Sequence, residues 1–96
     1  MYLSLFFMLL PEDKKVIVEE FGRHPKDVGS PEVQIAILTK RIKILEEHLK
    51  VHKNDFAVKR SLSRMISRRK KLLEYLFKED PERYGFVVQK LNLRSK

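Results

Sequence analysis

The sequence predicts an all-α fold, a single four-helix domain, from three observations. Glycine (3 residues) and proline (4 residues) are scarce in a chain of 96, and 35% of the residues are charged, which is typical of long helices. Three prolines stand beside acidic residues, the arrangement of a first helical turn. Apolar residues recur every three or four positions, the period of a buried helical face. We expect one projecting or loosely packed N-terminal helix and long antiparallel helices.

Start and stop signals set the bounds of the four helices. They predict helices at about 11–22, 31–51, 56–78 and 81–91. Ser30 and Asp80 each precede a proline and can cap the second and fourth helices, and Asp55 can cap the third. Gly22 fits the end of the first helix. The segment 23–29, with its proline and glycine, is therefore expected to be a loop.

The chain divides into an apolar N-terminal extension, residues 1–10, and a single helical domain, residues 11–96. The extension is too short to cross a bilayer and lacks the basic start and small-residue cleavage site of a secretory signal. Cysteine is absent, which excludes disulfides, a thiolate zinc site and a cysteine nucleophile. The composition therefore argues against a secreted, disulfide-bonded or membrane-spanning protein.

Positive charge is concentrated in the third predicted helix. The net charge is +8, and residues 56–78 hold eight of the 21 basic residues but one of the 13 acidic residues. At 100° per residue, six side chains fall within about 80° of each other, opposite the apolar stripe. This basic face comprises Arg60, Arg64, Arg68, Lys71, Tyr75 and Lys78. It predicts a polyanionic partner, either nucleic acid or an anionic membrane surface. Arg69 falls inside the apolar stripe and can either reach a helix end or pair with a carboxylate.

The second helix carries polar side chains that are candidates for nucleic-acid recognition. Gln34, Arg41 and His48 are spaced by seven, and His52 continues the line. Such side chains can hydrogen-bond to bases, sugars and phosphates, although for any one of them alone an ordinary solvated helix face is the favoured interpretation. Asp55 can act as a helix cap or accept from an exocyclic amine or a ribose hydroxyl.

Catalytic and metal sites are not indicated. His48, His52 and Asp55 have a spacing that zinc can use, but a structural site needs four ligands. Ser61 and Ser63 have no suitably spaced base, and no phosphate-binding glycine loop is present. We therefore expect no enzyme activity, no metal and no cofactor. Two other classes remain as alternatives: a peripheral membrane protein with its apolar N-terminus inserted, and an adaptor that binds proteins through helix grooves.

Four stretches resemble the small-subunit ribosomal protein fifteen family, of the bacterial type. They are residues 27–39, 48–62, 68–76 and 91–94. The likeness covers about residues 9–95, in the family's order and spacing. It implies a non-enzymatic four-helix protein that binds small-subunit rRNA at a three-way helix junction and nucleates platform assembly. It also implies a bridge to large-subunit rRNA, contacts with neighbouring platform proteins, no membrane partner, and a monomer outside the ribosome. The implied location is a cytoplasmic ribosome, with an organellar one left open.

The resemblance also assigns residues. The positions that match the family's junction contacts are Gly29, Gln34, Arg41, Lys71, Tyr75 and Lys78. His48 and Asp55 match a second patch that reads the minor groove of a neighbouring RNA helix. The chain departs from the family at Val28, where a threonine is usual, and at 56–58, where two histidines and a serine are usual. Residues 1–7 have no counterpart in the usual family start, so Met8 is an alternative first residue.

Overall fold

Four helices make up the part of the chain that the computed structural model describes, residues 11–24, 26–27 and 29–93. They are α1 (Pro11–Phe21), α2 (Pro31–Val51), α3 (Phe56–Glu79) and α4 (Pro81–Leu91). These bounds confirm the predicted all-α fold and its four helices, and the described residues contain no strand. The expected extension 1–10 and the departure at Val28 lie outside the described residues.

Local sequence signals explain where the helices begin and end. The side chains of Ser30, Asp55 and Asp80 each accept a hydrogen bond from the backbone N–H three residues on, which caps α2, α3 and α4. Asn92 ends α4 in the left-handed conformation, with a φ of 56°. Gly22 follows α1 where a Cβ would lie 2.5 Å from the carbonyl oxygen of Val18, so no other residue fits there without a shift.

The long helix α2 lies at the centre of the domain and packs against the other three helices. Its antiparallel neighbour α3 follows after a turn of four residues. The buried core lies where the four helices meet. It consists of Ile17, Val18, Phe21, Val33, Ile35, Ala36, Leu76 and Val87. Packing of this apolar surface provides most of the stability of the helices, because short helices are marginal alone.

Helix α1 is more firmly packed than the projecting or loosely packed helix expected from the sequence. Ile17, Val18 and Phe21 are buried in the core. The Phe21 ring meets that of Phe86 on α4 edge-on, with 6.0 Å between the ring centroids. Three apolar residues within five positions allow one helical turn to bury itself against α2 and α4.

The structure shows what the side chain of Arg69 contacts. Its Nη1 donates to the hydroxyl of Thr39 on α2 over 3.2 Å, and that hydroxyl donates to the carbonyl of Ile35 over 2.8 Å. The partner is therefore a hydroxyl rather than the carboxylate or helix end considered above. Burial lowers the pKa of Arg69, while nearby Glu46 opposes that shift.

Candidate nucleic-acid interface

The outer face of α3 forms an open groove without acidic side chains. We call it the basic groove; it is lined by Arg60, Ser63, Arg64, Ser67, Arg68 and Lys71. Its cationic side chains extend about 16 Å along the helix axis, because each residue advances about 1.5 Å. The two acidic residues of α3 are Glu74 and Glu79, and neither lines this groove. The surface suits a row of phosphates.

A second groove adjoins the basic groove on the side of α2. Gln34 and Arg41 line it together with Arg68, which belongs to both grooves. The Nε2 of Gln34 donates to the carbonyl oxygen of Gly29 over 3.0 Å, which ties the start of α2 to the preceding loop. The structure thus brings together Gly29, Gln34, Arg41 and the basic groove, which lie up to 42 positions apart in the chain.

The C-terminal end of the basic face extends beyond the basic groove. Tyr75 is exposed over 55% of its surface, beyond the groove that its basic neighbours form. Lys78 lines a different groove, between α3 and α4, with Phe77 and Tyr84. The predicted face therefore continues along α3 past the basic groove, with Tyr75 outside that groove and Lys78 in the next one.

The turn between α2 and α3 carries the other candidate pair. His48 is buried, and its Nε2 lies 2.9 Å from an oxygen of Asp55, whose other oxygen accepts from the backbone N–H of Val58. The hydrogen bond with His48, followed by that from Val58, lowers the pKa of Asp55. His52 stacks near His48, with 4.6 Å between ring centroids. Because this pair lies about 21 Å along α2 from Gln34, it forms a separate patch.

A buried ion cluster, missed by the sequence analysis, joins three helices. Glu32 is fully buried and accepts from Nε of Arg23 over 2.9 Å and from Nε of Arg83 over 2.7 Å. Arg83 also donates to the carbonyl oxygen of Phe21 over 2.9 Å, which links α4 to the end of α1. Burial opposes ionisation of Glu32, but the two arginine hydrogen bonds outweigh it and hold its pKa below the usual value. We call Arg23, Glu32 and Arg83 the buried clamp.

A signal for the clamp was present in the sequence. Glu32 precedes Ile35, Ala36 and Thr39 by three, four and seven positions, so it lies on the buried side of α2. A carboxylate in that register requires cationic partners, because an unpaired buried charge is very costly. The identity of the partners was not readable, since Arg83 lies 51 positions away.

Asp27 organises the loop before α2. Its carboxylate accepts from the backbone N–H groups of Arg23 over 2.8 Å, Ser30 over 2.9 Å and Gly29 over 3.2 Å. These hydrogen bonds, that from Arg23 first, hold the pKa of Asp27 far below its usual range. The loop that presents Gly29 is therefore fixed by one ionised side chain.

Acid should destabilise the fold through Asp27 and Glu32. A carboxylate with a lowered folded-state pKa contributes stability above its unfolded pKa of about 4, and this is lost as pH falls toward the folded value. We expect the urea midpoint to be constant from pH 7 to about 5 and then to fall. The side chain of Asp27→Asn cannot titrate. The difference in urea midpoint between this variant and wild type should therefore shrink between pH 5 and 3. The same difference in urea midpoint at every pH would show that the ionised carboxylate of Asp27 does not stabilise the fold.

Comparisons with known proteins identify the family of the chain. The family model described as Ribosomal protein S15 matches residues 14–94, which include both candidate patches. The chain belongs to the ribosomal protein S15 family. It is 55% identical over 87 residues to the small ribosomal subunit protein uS15 of Carboxydothermus hydrogenoformans, covering 91% of this chain and 98% of the relative. The uS15 protein of Aquifex aeolicus is 54% identical over 90 residues, covering 93% and 100%.

Membership of the S15 family settles the class of protein. The chain is a structural protein of the small ribosomal subunit that binds rRNA, and it is not an enzyme. The two relatives named above are bacterial, and the chain, like the rest of its family, is ribosome-bound. In the described ranges, no three His, Asp or Glu side chains come together as metal ligands, and no helix there is long and apolar enough to cross a membrane.

Proposed function

We propose that this S15-family chain binds a three-way helix junction of small-subunit rRNA, nucleates assembly of the platform, and bridges to large-subunit rRNA. The observation that carries the junction proposal is that Arg68 lines both the basic groove and the groove of Gln34 and Arg41. Two adjoining grooves on different helices can each follow one RNA helix at the point where the helices diverge. The chain would enter the assembly as a monomer and later meet neighbouring platform proteins.

The side chains of this surface divide into two roles. Arg60, Arg64, Arg68 and Lys71 contact phosphates, which supply affinity that depends on salt but not on sequence. Gly29 and Gln34 fit the shape of the junction, because the hydrogen bond between them fixes the start of α2. Tyr75 is exposed and offers its ring to a base or a sugar, and Lys78 adds a cation at the end of α3.

The patch at the α2–α3 turn is proposed to read the minor groove of a neighbouring RNA helix. Asp55 is oriented by His48 and by the cap of α3, and its oxygens can accept from an exocyclic amine or a 2′-hydroxyl. Val58, where the family usually has a serine, is buried, and Phe56 is exposed beside Lys59. Recognition at this patch therefore depends on His48 and Asp55 alone among the candidate residues.

A gel-shift titration tests the junction proposal. The protein is titrated against a small-subunit three-way junction RNA and against the same RNA with its junction closed into a plain duplex, at several salt concentrations. A preference for the open junction that persists as salt rises would support the proposal. Equal binding of both RNAs that is lost as salt rises would contradict the proposal. Contacts to phosphates alone would explain such binding, because they do not depend on the RNA fold and weaken with salt.

Replacing Arg64 and Arg68 together by alanine should flatten the salt dependence of junction binding. Each lost phosphate contact is expected to reduce the slope of log K against log salt by about one unit, so the double variant should lose about two. The control is Lys40→Ala with Lys43→Ala, which removes two exposed cations of α2 outside both grooves. An unchanged slope for the arginine variant would remove these residues from the phosphate-binding set.

A further inference from the structure

A groove between α3 and α4 has a different character from the basic groove. It has a volume of about 690 Å³ and combines apolar side chains with charged ones. We call it the aromatic groove; it is lined by Ile66, Arg69, Lys70, Leu73, Glu74, Phe77, Lys78 and Tyr84. Of the residues predicted for RNA contact, only Lys78 lies here, so the proposed junction surface meets this groove at one residue.

Large apolar side chains are exposed in the aromatic groove. Phe77 is 54% exposed and Ile66 is 42% exposed. The rings of Phe77 and Tyr84 meet edge-on, with 5.0 Å between their centroids and 70° between their planes. Ile66 belongs to the apolar stripe of α3, but α4 is only 11 residues long and leaves it uncovered. Ile66 and Phe77 lie about 16 Å apart along the same groove, and exposed apolar side chains lining one groove of a small domain indicate a binding surface.

The charges of the aromatic groove favour an anionic ligand. Lys70 and Lys78 are exposed and stand about 12 Å apart along the same line of α3, on either side of Glu74. Arg69 adds a third cation, although its Nη1 is engaged by Thr39. Three cations against one carboxylate, around two aromatic rings, match a ligand that carries both phosphates and flat apolar faces.

We propose that the aromatic groove binds an unpaired segment of RNA, with a base stacked on Phe77 beside the edge-on ring of Tyr84 and phosphates held by Lys70 and Lys78. Bases within a duplex cannot reach aromatic side chains, whereas unstacked bases commonly use them together with cations. This site shares Lys78 with the junction surface proposed above, and its other residues lie outside that surface.

Glu74 distinguishes this ligand from an acidic amphipathic peptide, which would have the same overall charge. The carboxylate lies between Lys70 and Lys78, where it would repel the acidic side chains of such a peptide. Adenine, cytosine and guanine each carry an exocyclic amine that can donate to the same carboxylate. The central position of Glu74 therefore favours a nucleotide over a peptide.

The test uses the full chain and an eight-nucleotide oligoadenylate with a fluorescent label, followed by anisotropy. Phe77→Leu keeps the apolar volume but removes the ring, and it should weaken oligoadenylate binding about tenfold, since stacking on one aromatic side chain contributes about 1–3 kcal/mol. Phe56→Leu is the matched control, because Phe56 is also exposed and near a lysine, but lies outside the groove. It should change binding less than twofold.

A second measurement reports the stacking directly. The chain contains no tryptophan, so Phe77→Trp places a single indole in the groove, and its fluorescence should be quenched when oligoadenylate binds. No binding by the wild type, equal binding by Phe77→Leu and wild type, or tighter binding of an acidic amphipathic peptide would each overturn the proposal. Junction RNA binding should be unchanged in Phe77→Leu, so failure of this proposal and failure of the junction proposal give different results.

Discussion

Replacing Arg83 by alanine should lower the free energy of unfolding by about 3 kcal/mol, because it breaks the buried clamp. Glu32 would keep Arg23 as its partner but would lose its shorter ion-pair contact, while remaining fully buried. The carbonyl oxygen of Phe21 would lose its donor as well. This loss of unfolding free energy is at the lower end of the range for breaking a buried ion pair, because the side chain of Arg83 is 31% exposed. Urea denaturation at pH 7 measures it.

Lys90→Ala is the matched control for the clamp. Lys90 is on the same helix, lies over the same Phe86 ring as Arg83, and pairs with Glu20 over 3.9 Å at the surface. An exposed pair of this kind contributes about 0–1 kcal/mol, so this variant should be nearly as stable as wild type. Arg83→Lys should be intermediate, because one ammonium cannot reproduce the planar geometry of both guanidinium contacts. Equal losses in Arg83→Ala and Lys90→Ala would refute the clamp.

The helices were predictable because their signals are local. Ser30, Asp55 and Asp80 each cap a helix through a contact three residues away, and such contacts can be read from the sequence alone. Only one part of the buried clamp was predictable. The helical register of α2 indicates that Glu32 is buried, but no nearby sequence signal identifies Arg83 as its partner. The packing of α1 was underestimated for the same reason, as it depends on contacts with α2 and α4.

The candidate RNA-binding surface was also predictable only where it depends on local sequence. Helical periodicity correctly separated the basic face of α3 from its apolar stripe, and it placed the basic groove. It could not show that α4 would turn back at Asp80 and enclose Lys78 in another groove, or that α4 would leave Ile66 exposed. Arg69, which periodicity marked as an anomaly, contacts a hydroxyl that lies 30 positions earlier.

Replacing Asp55 by alanine should reduce the preference for cognate over scrambled rRNA by about tenfold, which is within the range for one specific polar contact. The variant removes the acceptor at the α2–α3 turn and the partner of His48. Phosphate contacts in the basic groove are more than one helical turn away and should remain, so binding to scrambled RNA should change little. The measurement is a competition gel shift at fixed salt with the two RNAs.

The control for Asp55 must separate recognition from capping, and Asp80→Ala does so. Asp55 and Asp80 each accept from the backbone N–H three residues on, over 3.2 Å in both cases, so each substitution removes one N-cap. Asp80 caps α4 and has no place in either proposed RNA patch. If the turn reads RNA, both variants should lose thermal stability but only Asp55→Ala should lose selectivity. If both variants lose selectivity equally, the cap rather than the carboxylate acceptor is what matters, and the assignment of Asp55 to recognition would be wrong.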